Sequence, residues 1–421
     1  MSPSSSTTRI GLASTLFCTM ARGYLLLVRK LMRSLESGEA IVAGVLSGTS
    51  GDGIDVALTK PRVEPVPGGW RVISLESLAF ATQPFQETLA KRLRSALDSR
   101  PLDARGLALI SRDLGRAFGA AASALAQEHG LSLDLVGSHG QTLWHHDDVE
   151  PSGPASLQVG DGDWVAEAAG CAVVSDFRQR DLAAGGLGAP ISALADDAIF
   201  PDAPRPLAIL NLGGLANISW LPAEGMPLAF DTGPAGTLLD GLARRLLDAP
   251  FDPGGAAALA GRPHSELLAR WLEHPFFGSH GPPGSPRSTG RDTFGEAWID
   301  ELLAGASEWG LKETPDLLAC AVELVAETVA RALAAGLPEP PETLLVAGGG
   351  VHNEALMAAL RERLPVESSQ TAGVDPDARE ALVFATLAAR CVLGQATSAP
   401  SATGAAPGRV LGKISPAVVR R

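Results

Sequence analysis

Two stretches of this chain share one build. GVLSGTSGDGIDVAL, Gly44–Leu58, and LAILNLGGLANISWL, Leu207–Leu221, each run from an apolar segment through a glycine-rich turn with small polar residues into a second apolar segment. Short apolar runs bounded by glycine read as strands, so each stretch predicts strand, turn, strand. The two occupy corresponding places in segments of similar size, which predicts an internal duplication. A duplicated pair of α/β lobes sets its two turns face to face across a cleft, a common seat for a small ligand. At 421 residues the chain is longer than one hydrophobic core usually supports, as two lobes require.

The first turn is not one of the familiar glycine loops. A Walker loop needs lysine after its last glycine, and the Gly-Lys pair of this chain, Gly412-Lys413, lacks the following Ser or Thr. A nucleophile elbow around Ser50 fails because Asp52 occupies the place of the second glycine. A dinucleotide fingerprint should open a helix, whereas Ile54-Asp55-Val56-Ala57-Leu58 alternates like a strand. What remains is a hairpin loop. Its backbone N–H groups can turn inward where glycine allows it, and Ser47, Thr49 and Ser50 add hydroxyl donors, which suits a chain of phosphates.

Charge narrows the partners. A net charge of -13 without clustered Lys and Arg argues against a nucleic-acid surface and leaves small molecules. Cys18, Cys171, Cys320 and Cys391 stand far apart with no C-x-x-C pair, which predicts neither a zinc knuckle nor a short disulfide framework and suits a reducing cytoplasm. Up to Leu35 the chain has no acidic residue, and its apolar runs LASTLF and GYLLLV are too short to span a bilayer, so no membrane partner is expected. Residues 1–39 read as a disordered extension, or as an overlong start with Met20 or Met32 as the true beginning. The stretch GQATSAPSATGAAPG reads as part of a low-complexity tail over 396–421. Between them lie an N-terminal lobe over 40–205 and a C-terminal lobe over 206–395.

Other strands are predicted to end in polar loops. LDLVGSHGQT leads into Gly137-Ser138-His139-Gly140-Gln141, and PLAFDTGPAGTLLDGLARRLL leads into Asp231-Thr232-Gly233-Pro234 and an amphipathic helix. TLLVAGGGVHNEALMAALRERL gives a strand, Gly348-Gly349-Gly350, and a helix from about Asn353, where a ligand can rest on backbone at a helix start. Thr314-Pro315-Asp316 opens a long helix with an N-cap, a proline and an acid.

Nine motifs, in order, are SGTSGDGID, GSHGQTLWH, SLQVGDGDWVAE, SDFRQRDLAAGGLGAP, LNLGGLANIS, FDTGP, RSTGRDTF, AGGGVHN and REALVFATLA. From about Gly44 to Arg390 they resemble the anhydro-N-acetylmuramic acid kinase family, within the superfamily of sugar kinases, actin and heat-shock chaperone ATPases. The resemblance implies two actin-like (ribonuclease H-like) α/β lobes around a cleft for ATP and a sugar. It further implies a cytoplasmic homodimer that uses ATP and Mg2+ to open 1,6-anhydro-N-acetylmuramic acid and phosphorylate O6 during cell-wall recycling. By the same resemblance Gly48, Thr49, Ser50, Gly51, Asp52, Gly53, Ile54 and Asp55 form the ATP-phosphate loop, with Asp52 near Mg2+. Gly348, Gly349 and Gly350 lie by the adenosine, and Gly213, Gly214 and Asn353 also bind ATP. His139, Gln141, Asp176, Arg178, Asp181 and Glu380 serve the sugar, and Asp231 is the base.

Read as residues alone, several of these keep two meanings. Asp55 either works through magnesium and its waters or satisfies the amides of its own turn. Asp231 either accepts a proton or shapes the Gly-Pro bend as an Asx-turn. Arg178 offers a planar fork to a carboxylate, such as the sugar's lactyl group, or belongs to a solvated cluster with Asp176 and Asp181. Glu380 binds the sugar or merely favours a helix start. His139, His145 and His146 with Asp147 and Asp148 have no metal-ligand spacing. Two departures stand out: the family usually continues DTGP with Gly-Asn where this chain has Ala235-Gly236, and it often has Gln at Leu187. Beside the favoured reading stand a kinase for a different sugar and a non-catalytic actin-like nucleotide-binding protein.

Overall fold

The computed structural model describes residues 25–49, 51–97, 102–146, 153–278, 285–308, 310–311 and 314–416, with His146 described in its backbone only. Its strands are β1 (Val42–Ser47), β2 (Gly53–Val66), β3 (Gly69–Pro84), β4 (Leu135–His146), β5 (Ala155–Val159) and β6 (Ala172–Ser175). They continue with β7 (Leu207–Leu212), β8 (Leu215–Leu221), β9 (Leu228–Pro234), β10 (Leu344–Ala347), β11 (Val366–Ser368) and β12 (Lys413–Ser415).

The two sheets repeat one topology. The first runs β12-β6-β4-β1-β2-β3 with β5 beside β4, and the second runs β11-β10-β7-β8-β9. In each, a three-stranded antiparallel meander (β1-β2-β3, β7-β8-β9) carries parallel strands on the free side of its first member. This is the duplicated α/β architecture expected from the paired turns, which indeed join β1 to β2 and β7 to β8. The central strands β1 and β7 are buried along their whole length, as apolar runs covered on both faces must be.

The helix Arg379–Val392 follows the second sheet in the chain but lies on the first. Two glycines permit it. A Cβ on Gly44 of β1 would stand 1.7 Å from the Ala381 carbonyl oxygen, and one on Gly137 of β4 would stand 2.1 Å from that of Phe384. Helix and sheet therefore meet backbone to backbone, and Glu380 is carried to the cleft. The shared core on this face includes Leu135 and Val174 of the first sheet, Leu207 and Ile209 of the second, and Ala381 to Val392 of the helix.

Three sequence expectations need correction. A helix covers residues 25–36 and buries Leu31 and Leu35 in that shared core, so residues 25–39 are not a loose extension. Leu27, Leu31 and Leu35 recur every four residues, a helical stripe, and a chain begun at Met32 would lose part of it. Residues 1–24 lie outside the described residues. The stretch read as a low-complexity tail buries Ala399, Ala402, Ala405 and Leu411, then adds β12 antiparallel to β6. Finally, Gly137–Gln141 is no loop: β4 passes through it with a bulge, since Val45 pairs Ser138 while Leu46 pairs Gly140. The extra residue is His139, and bulges commonly re-aim a side chain in this way.

Candidate active site

Between the sheets lies a cleft of about 1270 Å³ with walls from both lobes. No helix of the described residues is long and apolar enough to cross a membrane.

At one end the two glycine turns meet. Gly48, Thr49, Asp52, Gly53 and Asp55 line the cleft from the first lobe, and Gly213 and Gly214 from the second. The approach is close: a Cβ on Gly214 would lie 2.8 Å from Cβ of Thr49. The Gly214 carbonyl accepts from the Ala235 and Thr237 amides and, at 2.8 Å, from the Thr237 hydroxyl, which ties this turn to the helix Gly236–Leu246. Gln141 is not in the cleft wall; its Nε2 donates to the Gly48 carbonyl at 3.0 Å and so holds the first turn. Gly51 and Ile54 are buried behind the turn, and Ser50 lies outside the described residues.

A second wall is Gly348–Gly350 with Asn353. Gly348 has φ 87°, and a Cβ there would meet the Leu212 carbonyl at 2.7 Å, so the bend needs glycine. The helix Glu354–Arg361 starts where the sequence places it, and Asn353 caps it, accepting from the Leu356 amide at 3.0 Å.

The third region gathers His139, Arg178, Glu380 and Asp231. Asp231 is 5% exposed. Its Oδ2 accepts from the Thr289 amide at 2.8 Å, and its own amide donates to the Arg287 carbonyl at 2.9 Å. Asp231 is thus a strand residue braced by a distant segment, which displaces the Asx-turn reading. Asn211, Asn217 and Asp231 are cross-strand partners on β7, β8 and β9, and all three line the cleft. Sequence reading passed over both asparagines and Thr289. The available signal was Asn211, a lone amide in the otherwise apolar LAILNL.

Arg178 donates from Nε to Nε2 of His139 at 3.0 Å. That nitrogen must accept, so the imidazole is neutral with its proton on Nδ1, which faces the Gly140 carbonyl at 3.3 Å. Burial, aided by the neighbouring Arg178 charge, holds His139 well below its ordinary range. Burial also lowers Arg178 to about 10, against the pull of Asp231, Glu380 and Asp181, and the guanidinium stays charged at neutral pH. Glu380 is raised by burial, opposed by Arg379, Arg178 and a hydrogen bond with Asn211. His145 engages the Ser288 hydroxyl at 3.0 Å, while residues 147–152 lie outside the described residues.

Besides Gln141, two further expected sugar contacts do not reach the cleft. Asp176 and Asp181 flank Arg178 in sequence but bind protein: Asp176 pairs with Lys413, and Asp181 accepts from Thr403 Oγ1 at 2.7 Å and Gly188 N at 2.9 Å.

Acidic groups crowd the place where the glycine turns meet. Asp55 is pushed up to about 6 by burial, with Glu380, Asp52 and Asp377 adding to the rise and the Thr82 hydroxyl, 2.6 Å away, opposing it. Asp240 is likewise raised to about 6 by burial and Asp52, against Arg244. Among the described residues no three His, Cys, Asp or Glu side chains converge as a cage. Crowded carboxylates beside a donor-lined turn fit an ion such as Mg2+, which takes one or two carboxylates and keeps its waters.

A carboxyl whose pKa rises on folding stabilises the fold while protonated, and that contribution fades as pH climbs through its folded value. In buffer free of nucleotide and metal, Asp55→Asn is therefore expected to melt progressively higher than the unsubstituted protein as pH rises from 4 to 7. The gap should level off above that range. Thermal melts across the range check it, and a pH-independent gap would return Asp55 to an ordinary solvated carboxylate.

The profile of the family described as anhydro-N-acetylmuramic acid kinase matches residues 40–417. Relatives carrying that name include one from Gloeobacter violaceus, 37% identical over 386 residues (90% of this chain, 99% of the relative). Another, from Xanthomonas oryzae pv. oryzae, is 40% identical over 382 residues (89% and 97%). Among solved structures, a ROK family glucokinase from Streptomyces griseus in complex with glucose and AMPPNP aligns with a TM-score of 0.35 at 16% identity, over 83% of this chain and 99% of that one. The activator of the 2-hydroxyisocaproyl-CoA dehydratase from Clostridium difficile with bound ADPNP gives 0.35 at 13% identity, over 84% and 95%.

Proposed function

Because the chain belongs to the anhydro-N-acetylmuramic acid kinase family, and is a kinase, we propose that it couples ATP to the opening of 1,6-anhydro-N-acetylmuramic acid and yields N-acetylmuramic acid 6-phosphate for peptidoglycan recycling. The observation that carries this reading is Asp231, fixed by the Thr289 amide in a cleft that the glycine turns and Arg178 also line.

In this reading the ATP phosphates lie on the turns at Gly48–Asp55 and Gly213–Gly214, and the adenosine lies along Gly348–Gly350 and Asn353. Arg178 takes the lactyl carboxylate through its planar fork, with Glu380 on the sugar hydroxyls. Asp231 accepts a proton from water as the water oxygen bonds to C1 and the C1–O6 bond breaks. O6 forms its bond to the γ-phosphorus as the β,γ-bridging oxygen leaves with ADP. Positioning and charge neutralisation carry most of such a transfer. Asp52 would hold Mg2+, which when bound neutralises phosphate charge. A homodimer and a cytoplasmic site of action belong to the same reading.

The test is a coupled assay of ADP release with 1,6-anhydro-N-acetylmuramic acid beside glucose, N-acetylglucosamine and N-acetylmuramic acid. Turnover should depend on the anhydro-sugar. Faster turnover with another sugar would reassign the substrate, and ATP hydrolysis indifferent to all four would point to a nucleotide-binding protein without a sugar.

A further inference from the structure

Among the described residues, the segment beyond the helix Arg379–Val392 contributes nothing to the wall of the cleft, yet it holds the short helix that bears Arg178. That helix, Phe177–Leu182, is tied at both ends. At its start Asp176 has φ 56°, an unusual conformation for a residue other than glycine, and pairs with Lys413 on β12. At its end Asp181 and Thr403 are both fully buried, with Thr403 Oγ1 donating to Asp181 Oδ1 at 2.7 Å. The backbone reinforces the contact: Leu187 N donates to the Thr403 carbonyl at 2.8 Å, and Ala406 N to that of Ala184 at 2.9 Å. Asp181 Oδ2 also takes the Gly188 amide, at the entry to Ala189–Ser192, which line the cleft.

The two ties differ in strength. Lys413 is largely exposed, and exposed ion pairs contribute little. The Thr403 bond is buried and made to a carboxylate, the kind that costs most to break. Arg178 has its Nε turned to His139, so the aim of its two Nη groups depends on where the helix sets its backbone.

We propose that Thr403 is a positioning residue for the sugar end of the cleft: through Asp181 it fixes the helix that aims Arg178, without touching substrate. The proposal rests on the reading of Arg178 as the sugar's partner.

Steady-state kinetics with ATP and 1,6-anhydro-N-acetylmuramic acid, with melting curves, test it on Thr403→Val, Thr403→Ser, Arg178→Ala and the Thr403→Val/Arg178→Ala double variant. Thr403→Val should raise KM for the sugar about tenfold, the usual scale for one hydrogen bond to a charged group, with KM for ATP unmoved. Thr403→Ser keeps the hydroxyl and should behave as the unsubstituted protein. The double variant should be no worse than Arg178→Ala, since two residues acting through one contact are not additive. Equal rises in both KM values, additive losses, or an unmoved sugar KM in a stably folded Thr403→Val would overturn the proposal. If the valine variant does not fold, Thr403→Ala is read by the same criteria. An Arg178→Ala enzyme with normal sugar KM would instead sink the Arg178 reading, so the two failures are distinguishable.

Discussion

Asp231→Asn is expected to lower turnover by roughly 10²–10⁴-fold, the range for removing a general base, while KM for ATP and the melting temperature stay near those of the unsubstituted protein. The substitution is close to isosteric, and the asparagine carbonyl can still accept from the Thr289 amide where Oδ2 does so now. The backbone of β9 is paired with β8 and bonded to the Arg287 carbonyl, independent of the side chain. What is lost is the capacity to take a proton. Were Asp231 only a structural acceptor, asparagine would preserve activity, so a kcat within a few-fold of the original would remove it from the mechanism.

The largest effect on stability is expected at Arg379. Arg379 and Asp196 are both fully buried, joined by Nε to Oδ1 at 2.9 Å and Nη2 to Oδ2 at 2.5 Å, with Nη2 also on Ser219 Oγ of β8 at 3.2 Å. The pair links the helix over the first sheet, the short helix Asp196–Ile199 between the lobes, and the second sheet. Arg379→Met leaves the Asp196 carboxylate buried beside a thioether, and breaking such a pair from one side costs about 3–5 kcal/mol. Replacing both partners is far milder, so Arg379→Met/Asp196→Leu should recover most of the loss. Urea unfolding of the three proteins measures this. A single variant as stable as the original, or a double variant worse than the single, would show that packing matters more than the unpaired charge.

Much of this site was legible in the sequence because its parts are turns. Glycine, Asn and small hydroxyl residues between apolar runs specify local backbone, and the β1–β2 turn, the β7–β8 turn and the Asn353 cap all lie where those residues place them. Residues whose partners are distant were misread. Asp176 and Asp181 surround Arg178 in sequence, and only the fold reveals that Thr403, 222 positions from Asp181, claims one of them. The run after Val392 looked featureless because alanine and serine pack closely with little hydrophobic signature, as Ala399, Ala402 and Ala405 do. A bulge at His139 left no mark, since one inserted residue alters register and not composition.

The helix Arg379–Val392 and strand β12 close the first sheet with parts of the chain made after the whole second sheet. On a ribosome this inverts the usual order. The second lobe has the residues of its own core, Ala208 to Val366, before the first lobe can finish. The face of the first sheet toward the helix Ala104–Glu128 is complete once Val173 emerges, but the opposite face waits for Ala381 onward. At about 5–20 residues per second that wait lasts tens of seconds, with Leu46, Leu135 and Val174 uncovered in the nascent chain. A ribosome stalled or terminated shortly before residue 379 would release a chain with one sealed lobe and one sticky sheet, a natural client for chaperones and proteases.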